Sequence, residues 1–131
     1  MVERIAYKGM VAQDAQNLKM EDYLKLIKSR QRRAIRRNSL NYRKLVEKVE
    51  RVKKRGGQPK PIRTHVREAV ILPSWVGMRF QVHNGKEFQE FEVTANMLGH
   101  RLGEFSFSTK RVQHSAPGIR ATKGSKFLAV K

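Results

Sequence analysis

Charge is laid along this chain in blocks, and the blocks limit where a core can form. Residues 28–63 carry fifteen Lys/Arg against Glu47 and Glu50, and residues 106–131 carry six cations and no acid. Between them, residues 64–105 hold four basic and five acidic groups, while residues 1–27 hold four of each. Unpaired charge is costly to bury. A core must therefore come from the 64–105 block and from apolar stripes on helices in the rest of the chain. The total of +18 over 131 residues repels other copies and attracts polyanions at long range. Nucleic acid is the first such polyanion, an anionic membrane the second and an acidic protein the third. A merely solvated surface mixes its signs more evenly than two basic arms with almost no acid.

The first basic arm reads as helical. Met20, Tyr23, Leu24 and Ile27 fall at i, i+3, i+4 and i+7. In "SRQRRAIRRNS" that follows, Arg30, Arg33 and Arg37 form one helical row and Arg32 and Arg36 the next. Such rows repel each other until a polyanion lies along them. Asn38 and Ser39 can end this helix and cap another. Its stripe is Tyr42, Leu45, Val46, Val49 and Val52, and it stops at "KKRGG". "GGQPKP" then reads as a linker.

The central block reads as strands. "VREAVILP" is a β-branched run stopped by Pro73, and "MRFQVH" and "FQEFEV" flank "NGKE", a strong hairpin signal. A four-residue loop pairs Phe80 with Phe91 and Met78 with Val93. Arg79, Gln81, Phe88, Glu90 and Glu92 then share the other face, with Phe88 exposed unless the helices cover it. Trp75 is expected in the core. After the hairpin, "MLGHRLGEF" places two glycines around a tight corner, with Thr94 positioned to cap a short helix before Gly99 and with His100, Arg101 and Glu104 projecting. Forty-two residues without a staple are marginal alone, so the block needs the helices, a partner or RNA.

Catalysis and metal binding find little support. His100 and Glu104 could form an acid–base pair, but such a pair needs a nucleophile or metal and an orienting group. His65, His83, His100 and His114 show no metal-ligand spacing, and cysteine is absent. No cofactor is expected. No apolar run spans a bilayer, the first residues lack a secretory pattern, and the absence of cysteine suits a reducing interior. A membrane-surface helix over 20–37 lacks Trp and Phe on its apolar face.

The central block closely resembles the core of the small-subunit ribosomal protein S-nineteen family, called S-fifteen in eukaryotes. The resemblance rests on "LPSWVG" (72–77), "VHNGK" (82–86) and "MLGHRLGEF" (97–105), and it covers 64–108 without a gap. The N-terminal "SRQRRAIRRN" and the tail "HSAPGIRATKGSKF" are similar to the archaeal and eukaryotic branch. Ala69 departs from the Ser or Thr of the bacterial pattern. The resemblance implies an α+β fold: a small antiparallel three-stranded sheet with N-terminal helices packed on it. It also implies three regions: a helical basic extension (1–63), the sheet core (64–108) and a flexible basic tail (109–131). It further implies binding to ribosomal RNA in the subunit head beside a protein of the S-thirteen family, a tail near tRNA in the decoding region, and head bridges to the large subunit. A free-standing basic RNA- or DNA-binding protein is the alternative.

The candidate RNA contacts are Arg30, Arg32, Arg33, Arg36 and Arg37 on the arginine helix, and Arg63, Thr64 and Arg67 at the entry to the sheet. Asn84, Gly85 and Lys86 are added at the hairpin tip, where a tight turn can bring backbone N–H groups to phosphate. His100 and Arg101 on the corner and Lys110 and Arg111 beyond it complete the set. His114, Arg120, Lys123 and Lys126 are assigned to the tRNA-facing tail.

Overall fold

The computed structural model describes residues 7–56 and 60–112. Tail residues His114, Arg120, Lys123 and Lys126, and part of the expected 56–61 linker, lie outside them. Four helices come first: α1 (Ala12–Gln16), α2 (Met20–Leu26), α3 (Ser29–Arg37) and α4 (Leu40–Arg55). Three strands follow: β1 (Ile62–Thr64), β2 (Arg79–His83) and β3 (Phe88–Glu92). Short 3-10 turns occupy Pro73–Trp75, Ala95–Met97 and Leu102–Phe105.

Local chemistry sets the helix ends. Asn38 takes a left-handed conformation (φ 46°) that stops α3, and the Ser39 hydroxyl accepts the Tyr42 N–H to start α4. Gly56 ends α4 at φ 60°. The first basic arm is not one helix from 20 to 37. Ile27 and Lys28 are extended, and the chain restarts as α3. Arg32 makes this break tenable: its Nε donates to Leu24 O at 2.7 Å and its Nη2 to the Lys25 and Ile27 carbonyls, covering the open end of α2.

The hairpin has the expected register, with Phe80 opposite Phe91 and the Val93 N–H donating to Met78 O at 2.9 Å. The α+β class also holds, but the sheet is mixed, in the order β1–β2–β3. β1 runs parallel to β2, with Ile62 beside Phe80 and Thr64 beside Val82. The strand expected in "VREAVILP" is displaced, because Ile62–Thr64 takes the free edge of β2. A parallel neighbour needs a crossover of about a dozen residues, and 65–78 supplies it. Residues 67–71 instead pair with the corner: Ile71 N–H to His100 O, Leu102 N–H to Ala69 O and Gly103 N–H to Arg67 O, at 2.8–3.0 Å. The short helix expected after Thr94 is a 3-10 turn, and the Thr94 side chain does not cap it.

One apolar core joins both halves of the chain. Tyr23 and Ile27 at α2, and Tyr42, Leu45 and Val49 of α4, pack with Ile62, Ile71, Trp75, Phe80, Val82 and Leu102. Trp75 is buried as expected, its ring 5.2 Å from that of Phe80 and 6.3 Å from that of Tyr42. Each fully buried large side chain contributes about 1.5–3 kcal/mol, and the helical part of the chain supplies five of these eleven residues. That is how a 42-residue block escapes marginality.

Two tyrosine hydroxyls lie inside this core. The Tyr23 hydroxyl donates to Ile71 O at 2.5 Å and accepts the Gly99 N–H at 2.9 Å. The Tyr42 hydroxyl donates to Val70 O. Burial holds both phenols well above the usual tyrosine range, an effect the Gly99 N–H partly opposes at Tyr23. A raised folded-state value means that the unfolded chain loses its phenolic protons first. The stabilisation is complete below about pH 10 and is lost as pH rises beyond it. The denaturant midpoint should fall as pH rises from about 10 to 12, and should fall less steeply when Tyr23→Phe and Tyr42→Phe are combined. Parallel slopes for the two proteins would refute this assignment.

Candidate nucleic-acid interface

The fold sorts the candidate cations into two kinds. Some are bonded to the protein's own backbone. Arg32 closes α2, as described. Arg67 is partly buried, and its Nη1 donates to His83 O at 2.7 Å. Its Nη2 donates to Gly103 O and Ser106 O at 3.0 and 2.6 Å. One planar fork thus ties the end of β2 to the far side of the corner. Thr64 is buried, and its hydroxyl accepts the Val66 N–H at 3.0 Å. These three side chains act inside the fold.

The hairpin tip is also more self-sufficient than a phosphate cradle would be. Asn84 Oδ1 accepts the N–H groups of Lys86 and Glu87, both at 2.9 Å, and His83 Nδ1 accepts that of Gly85. Those three amides are occupied. What the tip offers outward is the exposed Lys86 side chain, with Lys110 nearby through its 3.3 Å ion pair to Glu87. Arg111 is exposed just beyond.

The other kind faces solvent. Arg30, Arg33, Arg36 and Arg37 are exposed on α3, a helix that fully buries no residue. None of the four makes an ion pair among the described residues. The glycine corner lies beside them. Arg37 and Arg101 line one cleft of about 240 Å³, and His100 lines a second of about 430 Å³ with Lys8, Lys28 and Gln31. Arg37 of α3 and Arg101 of the corner, some sixty residues apart in sequence, therefore share one cleft, which Glu68 also lines, while the cations beside His100 are Lys8 and Lys28. Arg63 stands apart on β1, its Nε donating to Gln81 Oε1 at 2.7 Å. The sequence reading missed four basic groups: Lys8 and Lys28 at the second cleft, and Lys44 and Lys48 of α4, which share a groove with Arg63.

The corner is built by its glycines and Glu104. Gly99 sits at φ 78°, where its N–H reaches the Tyr23 hydroxyl. At Gly103 a β-carbon would lie 2.9 Å from Arg67 Cβ and 3.0 Å from Arg67 O. Glu104 Oε1 accepts the Arg101 N–H, and Oε2 lies 2.6 Å from His100 Nδ1. The His–Glu pair thus fastens a 3-10 turn. No group of three or more His, Asp or Glu that could hold a metal occurs among the described residues. No helix among them is long and apolar enough to cross a membrane.

The sequence that builds this core matches a known family. The family model for ribosomal protein S19 matches residues 14–114. The chain belongs to the ribosomal protein S19 family. Two archaeal relatives, both named small ribosomal subunit protein uS19, align over nearly the whole chain. That of Metallosphaera sedula is 43% identical over 130 residues, 98% of this chain and 93% of the relative. That of Saccharolobus solfataricus is 47% identical over 126 residues, 95% and 90% respectively. This is a family of small-subunit ribosomal structural proteins, not of enzymes, so the His100–Glu104 pair has no bond-breaking role to fill.

Two substitutions separate the inward groups from the outward ones. Gly103→Ala forces a contact against Arg67 and should destabilise the fold by about 1–3 kcal/mol, seen as a lower thermal midpoint. Arg33→Ala, on an exposed face, should stay within about 0.5 kcal/mol of wild type. Equal midpoints for the two variants would contradict this sorting.

Proposed function

We propose that this protein binds ribosomal RNA in the head of the small subunit, with α3 and the glycine corner as its main docking surface. In this reading it stands beside a head protein of the S-thirteen family and contributes to bridges with the large subunit. Its basic C-terminal residues approach tRNA at the decoding region. The observation that carries the reading is the set of four exposed α3 arginines without ion-pair partners among the described residues, one of which, Arg37, shares a cleft with Arg101 of the corner. Guanidinium forks hold phosphate oxygens bidentately. Each neutralised phosphate releases counterions, which ties affinity to salt. Structured RNA is recognised through phosphates, 2′-hydroxyls and shape, and a rigid corner next to a helical row of arginines suits such a target.

Tagged protein should co-sediment with intact small subunits in a gradient. Binding to a small-subunit RNA transcript should weaken linearly on a log–log salt plot. Replacing Arg30, Arg33, Arg36 and Arg37 together by Ala should reduce that slope by about three to four. A free-standing binder would instead remain at the top of the gradient. A chain ending at residue 111 should still enter subunits while perturbing tRNA binding at the decoding face. Exclusion of the truncated chain from subunits would overturn that division of labour.

A further inference from the structure

The outer face of the sheet carries a cluster that phosphate neutralisation does not use. His65, immediately after β1, has its ring 4.5 Å from that of His83 on β2, with the planes 38° apart. Phe88 of β3 meets both rings edge-on, at 5.1 and 4.9 Å. The Arg63 guanidinium lies over Phe88, 5.5 Å from the ring centroid. It is aimed by its bond to Gln81 Oε1, and Gln81 is held in turn by Glu90 Oε2 at 2.8 Å.

Three properties of this cluster point to one ligand. It is aromatic, and its His83 ring is held in place by the Gly85 N–H donating to Nδ1 at 3.1 Å. It is accessible, since His65 is exposed. It also borders a groove of about 190 Å³ lined by Lys44, Lys48 and Arg63 and by no acidic residue. A π-face beside a groove whose charged residues are all cations is complementary to a ligand that alternates flat aromatic groups with anions. A protein partner that covered the rings with apolar side chains would leave those cations unmatched.

We propose that the cluster is a stacking platform for an unpaired nucleobase of RNA. His65 receives the base, and the Lys44–Lys48–Arg63 groove takes the adjacent phosphates. This rests on the RNA-binding reading above and adds a second, chemically different contact to it. A base inside a duplex has no free face, so the ligand is a loop, bulge or single-stranded end. Base–aromatic stacking is tolerant of base identity. The site therefore selects unpaired over paired nucleotides and does not read a sequence.

The test is equilibrium binding of the full-length protein to a small-subunit ribosomal RNA transcript across a salt series, at about pH 8, where free imidazole is neutral. His65 is exposed, so His65→Ala and His65→Tyr should keep the wild-type thermal midpoint. His65→Ala is expected to bind about 5- to 150-fold more weakly, with an unchanged salt slope, and His65→Tyr to bind close to wild type. Wild-type affinity in His65→Ala would overturn the proposal, including the case where that variant binds RNA normally but enters subunits poorly, which would assign the rings to a protein partner. A loss accompanied by a slope shallower by about one would also overturn it, by marking His65 as a phosphate-binding cation. If the wild-type protein bound the transcript without salt dependence, the RNA-binding reading itself would fall, and the stacking site with it.

Discussion

Residues 97–106 contain only short 3-10 turns, so their backbone groups need partners from elsewhere in the chain. They find them in a tyrosine hydroxyl, a guanidinium and a neighbouring extended segment. Tyr23 brings α2 to Gly99, Arg67 brings the end of β2 to Gly103 and Ser106, and residues 67–71 pair alongside. Each link is buried or partly buried, where an unmade hydrogen bond costs more than a made one gains. Because the corner is overdetermined in this way, Arg101 is held at the cleft it shares with Arg37, and His100 at the one it shares with Lys8 and Lys28.

The same corner explains how so cationic a chain stays folded. Arg32 and Arg67 are drawn inward, but they meet carbonyl oxygens and need no carboxylate partner. Acids are few, and most ion pairs among the described residues sit on the surface, where each contributes little. The remaining cations stay in water and repel one another along α3 and α4. That repulsion opposes the compact state, and a polyanion laid along the helices would relieve it.

Features governed by neighbours in sequence could be read directly. The NGKE loop and the alternation around it fix which residues of β2 and β3 face each other, because a one-residue slip would turn every apolar side chain outward. Asn38, Ser39 and Gly56 mark helix ends through their own backbone preferences. Phe88 was legible as an aromatic residue on a polar face; its neighbours His65 and Arg63 were not. Their approach depends on β1 pairing in parallel with β2, and three residues of β1 carry no pattern that says so.

By itself, then, the sequence determined the charge blocks, the hairpin register, the helix stops and the family, since each is written in residue type and spacing. Tertiary structure decided which arginines remain free. A guanidinium that caps a helix or clamps a loop binds backbone carbonyls, which every residue possesses, so no residue type announces the partner. Arg32 and Arg33 are adjacent and chemically identical in the sequence. Only the break at Ile27–Lys28 turns one toward α2 and leaves the other facing solvent.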